Sequence, residues 1–176
     1  MKNTYELIAP CHFGLESVLK REIYDLGYDI SKVEDGKVTF IGDADAIARA
    51  NIFLRTAERV LLKVGEFKAT TFTELFDNTK ELEWEEFIPK NGKFWVTKAN
   101  SINSKLFSSS DIQSIVKKAI VERLKVKYAV NWFEEDGNSY PIRVSLMKDV
   151  VTISLDTSGD SSVSYTHLTL PTILLV

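Results

Sequence analysis

An α+β fold in two tandem parts, β-α-β-β-α-β followed by α-β-α-β-β, is predicted by three observations. Apolar residues switch between helical and alternating spacing in that order along the chain. Two short polar turns, Asp35-Gly36 and Met147-Lys148-Asp149, each separate β-rich runs. A length of 176 residues with 44% hydrophobic content is enough for one core or two small ones.

In the first part, residues 1–69, Tyr5-Glu6-Leu7-Ile8-Ala9 reads as a strand. Leu15, Val18, Leu19, Ile23 and Leu26 then recur at helical spacing, with Gly27 as the stop. Asp35-Gly36 joins Ser31–Glu34 to Lys37–Ile41 as a hairpin, because both turn positions tolerate positive φ. Asp43 caps a second helix whose stripe is Ile47, Ala50, Leu54 and Ala57, and Val60–Val64 is the closing strand. That order belongs to ferredoxin-like folds.

The second part, residues 70–161, opens with a helical stripe, Phe72, Leu75, Phe76, Thr79 and Leu82, running toward Pro89. Asn91-Gly92 turns the chain into a strand at Phe94–Thr97, followed by a polar loop. A long helix carries Ile112, Ile115, Val116, Ala119, Ile120 and Leu124 on one side. Beyond Asp136-Gly137-Asn138, the hairpin of Tyr140–Leu146 and Val150–Leu155 completes the part. Trp84, Trp95 and Trp132 read most simply as core or subdomain anchors, with base stacking as the other reading for the loop-borne Trp132.

Composition narrows function. The single Cys11 allows neither an internal disulfide nor a Cys-x-x-Cys site, and is read as a small buried packing residue. His12 lacks companions for a catalytic triad, since the other histidine is His167 near the end. No apolar run approaches a membrane span, so no membrane partner and a cytoplasmic location are expected. The net charge of -3 argues against binding nucleic acid with the whole surface, but the charges are segregated. Glu66 to Pro89 nets -5, and Lys90 to Lys127 nets +7. A solvated face would explain either block; the contrast between them favours a polyanion footprint.

The sharpest local feature is Ser108-Ser109-Ser110-Asp111-Ile112-Gln113 at the start of the long helix. Ser110 and Gln113 have the spacing of a capping box. The same helix start could hold phosphate through its free amides, with Ser108, Ser109 and Ser110 as hydroxyl donors. Lys98, Lys105, Lys117 and Lys118 would be the positioning cations.

Phe94–Ala99, Ser104–Ser108 and Gln113–Ile120 together resemble the THUMP domain of bacterial ribosomal RNA methyltransferases. Ala9–Glu16 and Asn51–Val60 resemble the ferredoxin-like segment that precedes THUMP in those enzymes, so the likeness covers Tyr5 to Ser161. The resemblance implies RNA binding, with structured ribosomal RNA, 23S, as the partner. It also implies a parent enzyme that uses S-adenosylmethionine to methylate the exocyclic amine of a guanine. The family's Gly-rich cofactor loop and Asn-Pro-Pro-Tyr-like motif are not found in this sequence. No cofactor and no methyl transfer are therefore expected of this polypeptide alone, and the catalytic domain is expected to have followed in cis. The alternative is a protein-interaction or small-ligand regulatory domain on a ferredoxin-like fold.

After Leu155–Ser161 the family continues with Leu-His-Lys-Arg-Gly-Tyr, and this chain reads Ser162-Val163-Ser164-Tyr165-Thr166-His167. Val163–Thr172 resembles a translated sequencing adapter, so residues 162–176 are expected to be a non-native tail; a native terminal strand is the alternative.

Overall fold

The computed structural model describes residues 3–159; the tail at 162–176, with His167, lies outside them. The described residues form two compact units, 3–63 with 156–159, and 64–155.

The first unit contains β1 (Tyr5–Pro10), α1 (Glu16–Asp25), β2 (Asp29–Glu34), β3 (Lys37–Gly42), α2 (Ala44–Phe53) and the start of β4 (Leu61–Lys68). Its strands lie in the order β2-β3-β1-β4, every neighbour antiparallel, as the predicted β-α-β-β-α-β order requires. The α1 stripe is narrower than its sequence spacing suggests. Leu19 and Ile23 are buried, whereas Leu15 and Val18 are 38% and 48% exposed. Leu19 and Ile23, four apart, stack on one face; Leu15 is the N-cap residue outside the helix, and Val18 lies about 100° around it from Leu19. At the β2–β3 turn only Gly36 takes positive φ, at +81°, and Asp35 does not. The Glu16 carboxylate ties this turn to the start of α1 by accepting the Gly36 and Gly14 amides, each at 2.9 Å. Those amide bonds, that of Gly36 foremost, hold its carboxyl below the usual range.

Asp43 caps α2, its Oδ1 accepting from the Ala46 amide at 3.0 Å. Cys11 is buried, and burial, then the Glu16 and Glu58 carboxylates, push its thiol up, which suits a packing role over a nucleophilic one. The end of β7 is tied into this unit. Arg59 bonds Asp156 at 2.9 Å and the Gly159 carbonyl at 2.6 Å, Thr157 donates to the Val60 carbonyl, and Ser158 donates to Asn51 at 2.7 Å.

The second unit contains the remainder of β4, α3 (Phe72–Glu81), a single 3-10 turn at Trp84–Glu86, β5 (Lys93–Ile102), α4 (Ser109–Tyr128), β6 (Ser139–Met147) and β7 (Val150–Asp156) up to Leu155. The strand order is β4-β7-β6-β5, with β5 parallel to β6 and β6 antiparallel to β7. Two elements differ from expectation. The first helix stops at Glu81 because Trp84, fully buried, turns its Nε1 back to the Thr79 carbonyl at 2.8 Å. Strand β5 continues through Lys98–Ile102, which reads as a polar loop; β6 pairs with it as far as Ile102↔Met147, with Lys98 and Asn100 exposed on one face and Ala99 buried on the other.

The acidic and basic blocks of the sequence meet in this unit. Arg123 on α4 makes a two-pronged contact with Glu85, at 2.7 and 2.6 Å, and also donates to the carbonyls of Lys80 and Glu81. Lys127 lies 3.6 Å from the same carboxylate, and Lys80 lies 3.8 Å from Glu122. The Arg123 hydrogen bonds pull the Glu85 carboxyl down from 4.5 to about 2.

Two outcomes follow for stability. A Cβ on Gly42 would sit 2.3 Å from the Ala46 Cβ, so Gly42→Ala should cost about 1–3 kcal/mol in urea unfolding. Arg123→Ala should cost about 2 kcal/mol, because a partly buried carboxylate loses its two-pronged partner and keeps only Lys127. Since the Glu85 pKa is depressed on folding, the stabilisation is complete above about pH 4.5 and fades as the pH falls toward 2. Glu85→Gln should flatten that limb of the Tm–pH curve.

Candidate nucleic-acid interface

Parallel pairing of β5 with β6 through α4 brings three segments to one end of the second unit: the loop after Ile102, the start of α4, and the β6–β7 turn. The loop and the turn are laced together. The Lys148 amide donates to the Ile102 carbonyl at 3.1 Å and the Lys105 amide to Asp149 Oδ1 at 2.8 Å. The Asp149 amide donates to Ser104 Oγ at 3.0 Å, and Ser104 Oγ to the Ile102 carbonyl at 3.0 Å. Asn103, Lys148 and Asp149 all take positive φ, at 49°, 51° and 67°, as tight reversals demand. Lys105 and Lys148 are exposed here.

The helix start departs from the expected capping box. Ser108, not Ser110, is the N-cap, and its side chain makes no capping bond. Ser109 Oγ donates instead to the Ala99 carbonyl of β5 at 2.8 Å, and Gln113 Nε2 donates to Ser109 Oγ at 3.2 Å. Anchoring the helix to the strand through Ser109 starts it earlier than the Ser110–Gln113 pattern would. Ser108 and Ser110 face each other at 3.4 Å between hydroxyls.

The four lysines are not gathered into one cradle. Lys117 turns inward, its ammonium donating to the Phe94 carbonyl and lying 3.8 Å from the Phe94 ring centroid. Burial lowers its pKa, opposed by the Glu135 carboxylate. This corrects its reading as a phosphate contact: the amine is engaged inside the unit. Lys118 is exposed and stands 6.0 Å from the Phe76 ring of α3. Both lie eight or nine residues beyond Ser109, about 12 Å along the helix. Lys98 occupies the opposite side of the sheet. Phe94 and Ala99 face the helix, and a register shift between Val96 and Lys98 places Lys98 beside Arg143 on the other face. Arg123, counted in the basic block, is held by Glu85.

Sequence reasoning missed Lys148 as a partner of Lys105. Its signal was the Met147-Lys148-Asp149 turn, which becomes a neighbour of Lys105 only once the strands pair in parallel. Trp132 is 79% exposed, in the loop entering β6 at the opposite end of the strands, beside Glu134, Glu135 and Asp136. Those acids disfavour phosphate around it. His12 is paired with Glu58 at 3.1 Å.

S-adenosylmethionine is the methyl donor that the resemblance implies for the parent enzyme, and no two of the described glycines fall in a G-x-G cluster. Gly42 lies against Ala46, Gly65 against Leu82 and Gly92 against Tyr140, whereas Gly14 and Gly27 border open space. A hollow of about 480 Å³ is lined by Tyr28, Asp43, Asp45, Ala48 and Arg49, and Arg49 donates to the Tyr28 hydroxyl at 3.1 Å. Among the described residues no group of acids, histidines and cysteines could hold a metal ion, and no helix is long and apolar enough to cross a membrane.

Comparison with known proteins agrees with this architecture. The chain is 52% identical over 157 residues to a putative RNA methyltransferase, YpsC, of Bacillus subtilis (strain 168), covering 88% of this chain and 40% of the relative. It is 24% identical over 160 residues to the ribosomal RNA large subunit methyltransferase K/L of Marinomonas sp. (strain MWYL1), covering 89% and 22%. Among solved structures, SMU.472, a putative methyltransferase complexed with SAH, superposes with a TM-score of 0.86 at 41% identity, covering 92% of this chain and 43% of that one. The chain thus spans less than half the length of each of these relatives. An RlmL ferredoxin-like domain matches residues 6–61 and a THUMP domain matches residues 69–156. With two domain families matched in the order its strands and helices follow, this chain belongs to the THUMP family, its THUMP domain preceded by an RlmL ferredoxin-like domain.

Proposed function

We propose that this chain is the RNA-binding, substrate-positioning part of a cytoplasmic methyltransferase that acts on a guanine amine of 23S ribosomal RNA. The catalytic domain and its S-adenosylmethionine site would lie in the portion of the relatives that this chain does not span. The observation that carries the proposal is the THUMP domain itself, whose β6–β7 end joins two exposed lysines to an open helix start. The bound SAH in a relative with 41% identity supports the methyl donor assigned to the parent.

Residues 70–161 would carry the contacts. Lys105 and Lys148 would hold phosphates at the tied end, with the Ser108 and Ser110 hydroxyls and the first amides of α4 beside them. Lys98, next to Arg143, would add charge on the helix-free sheet face, and Lys118 on the outer face of α4. Recognition of this kind reads backbone and shape before base sequence.

Titrating the 176-residue chain with 23S fragments over a range of salt tests the reading. Binding should weaken steeply with salt, and Lys105→Ala with Lys148→Ala should lower the slope of log K against log salt by about 1.5–2. Lys117→Met should leave that slope unchanged and lower the Tm instead. Salt-independent binding, or none, would remove the proposal.

A further inference from the structure

The tied loop holds an aromatic ring out in solvent. Leu106 is 6% exposed and anchored inward, with Ser101 Oγ donating to its carbonyl. Ser108 is already the helix cap, so Phe107 between them is turned outward and is 82% exposed. Leaving such a ring in water forgoes the gain of burying it, and a slack loop would fold it under. This loop cannot: Ser104 and Lys105 are bonded to the β6–β7 turn, and Ser109 to β5.

The same end of the unit carries exposed apolar side chains and two lysines. Ile102, Met147 and Val150, paired across β5, β6 and β7, are 52%, 39% and 36% exposed. Lys105 lies two residues before Phe107, and Lys148 sits in the turn bonded to that loop. An exposed flat ring in a loop that also carries Lys105 and is bonded to the Lys148 turn matches a nucleotide more closely than a protein side chain, because a nucleotide joins a π face to a negative phosphate. A fully paired helix presents phosphates but no free base face.

We propose that Phe107 is a stacking platform for one unpaired base of the bound RNA, with Lys105 and Lys148 holding its flanking phosphates. This deepens the RNA-binding reading above and rests on it. Phe107 thereby sets the preference of the module for RNA with a splayed nucleotide over continuous duplex.

The test uses the 176-residue chain and two RNA hairpins of equal length and charge. One carries 2-aminopurine at a single unpaired bulge position, the other the same nucleotide fully paired. The bulged RNA should bind more tightly, with a change in 2-aminopurine fluorescence on binding. Phe107→Ala should weaken the bulged complex about 5- to 100-fold and abolish the fluorescence change, leaving duplex affinity and the salt slope as they were. Phe107→Trp should restore both. An equal effect on the two RNAs, or no effect on either, overturns the stacking role while RNA binding stands; no binding of either RNA by the unsubstituted chain overturns both. Loss in Phe107→Ala of binding to anionic phospholipid vesicles, without change in RNA affinity, would assign the ring to a membrane instead and overturn the proposal. With its side chain mostly in water, Phe107→Ala should keep the circular dichroism and Tm of the original chain.

Discussion

Parallel pairing of β5 with β6 is the constraint on which the second unit depends. Parallel neighbours cannot be joined by a hairpin, so the chain must return along the sheet, and α4 is that return. The two ends of the unit then acquire different chemistry. The end where β5 finishes receives the start of α4 and the β6–β7 turn, with Lys105 and Lys148. The other end receives the acidic loop with Trp132. The Ser109 bond to Ala99 and the Lys117 contact with Phe94 fasten α4 to β5 along its course, which keeps both ends in register.

Charge is distributed by the same packing. Read along the chain, the acidic and basic blocks look like separate faces. In space the second half of α4 lies against the turn after α3, and Glu85 meets both Arg123 and Lys127. Opposite charges far apart in sequence thus neutralise one another, and the cations left facing water are fewer than the +7 segment implies. Removing the guanidinium from this contact would leave Glu85 with Lys127 alone rather than bare a binding surface.

Element order was largely legible in the sequence, because each helix shows a recurring apolar stripe and each hairpin has a polar turn between β-rich runs. Asp43 as a cap and the β6–β7 turn could be read locally. What escaped were properties of partners. Strand β5 looks like a loop beyond Thr97 until β6 lies alongside it, and α3 looks longer until Trp84 closes over Thr79. The candidate interface was legible at Lys105 and the serine run, which adjoin in sequence. Lys117 escaped because helical spacing does not say which of two successive lysines turns back onto β5 and bonds its backbone. Lys148 was missed because 43 residues separate it from Lys105.

The β6–β7 turn has a further consequence. Lys148 and Asp149 both occupy the left-handed region without a glycine, a conformation that suits the twist of the flanking strands and is secured by bonds from three neighbouring segments. The disorder such a reversal would otherwise retain has already been surrendered during folding. A ligand arriving there meets a preorganised backbone, and little of its contact energy is diverted into ordering the protein.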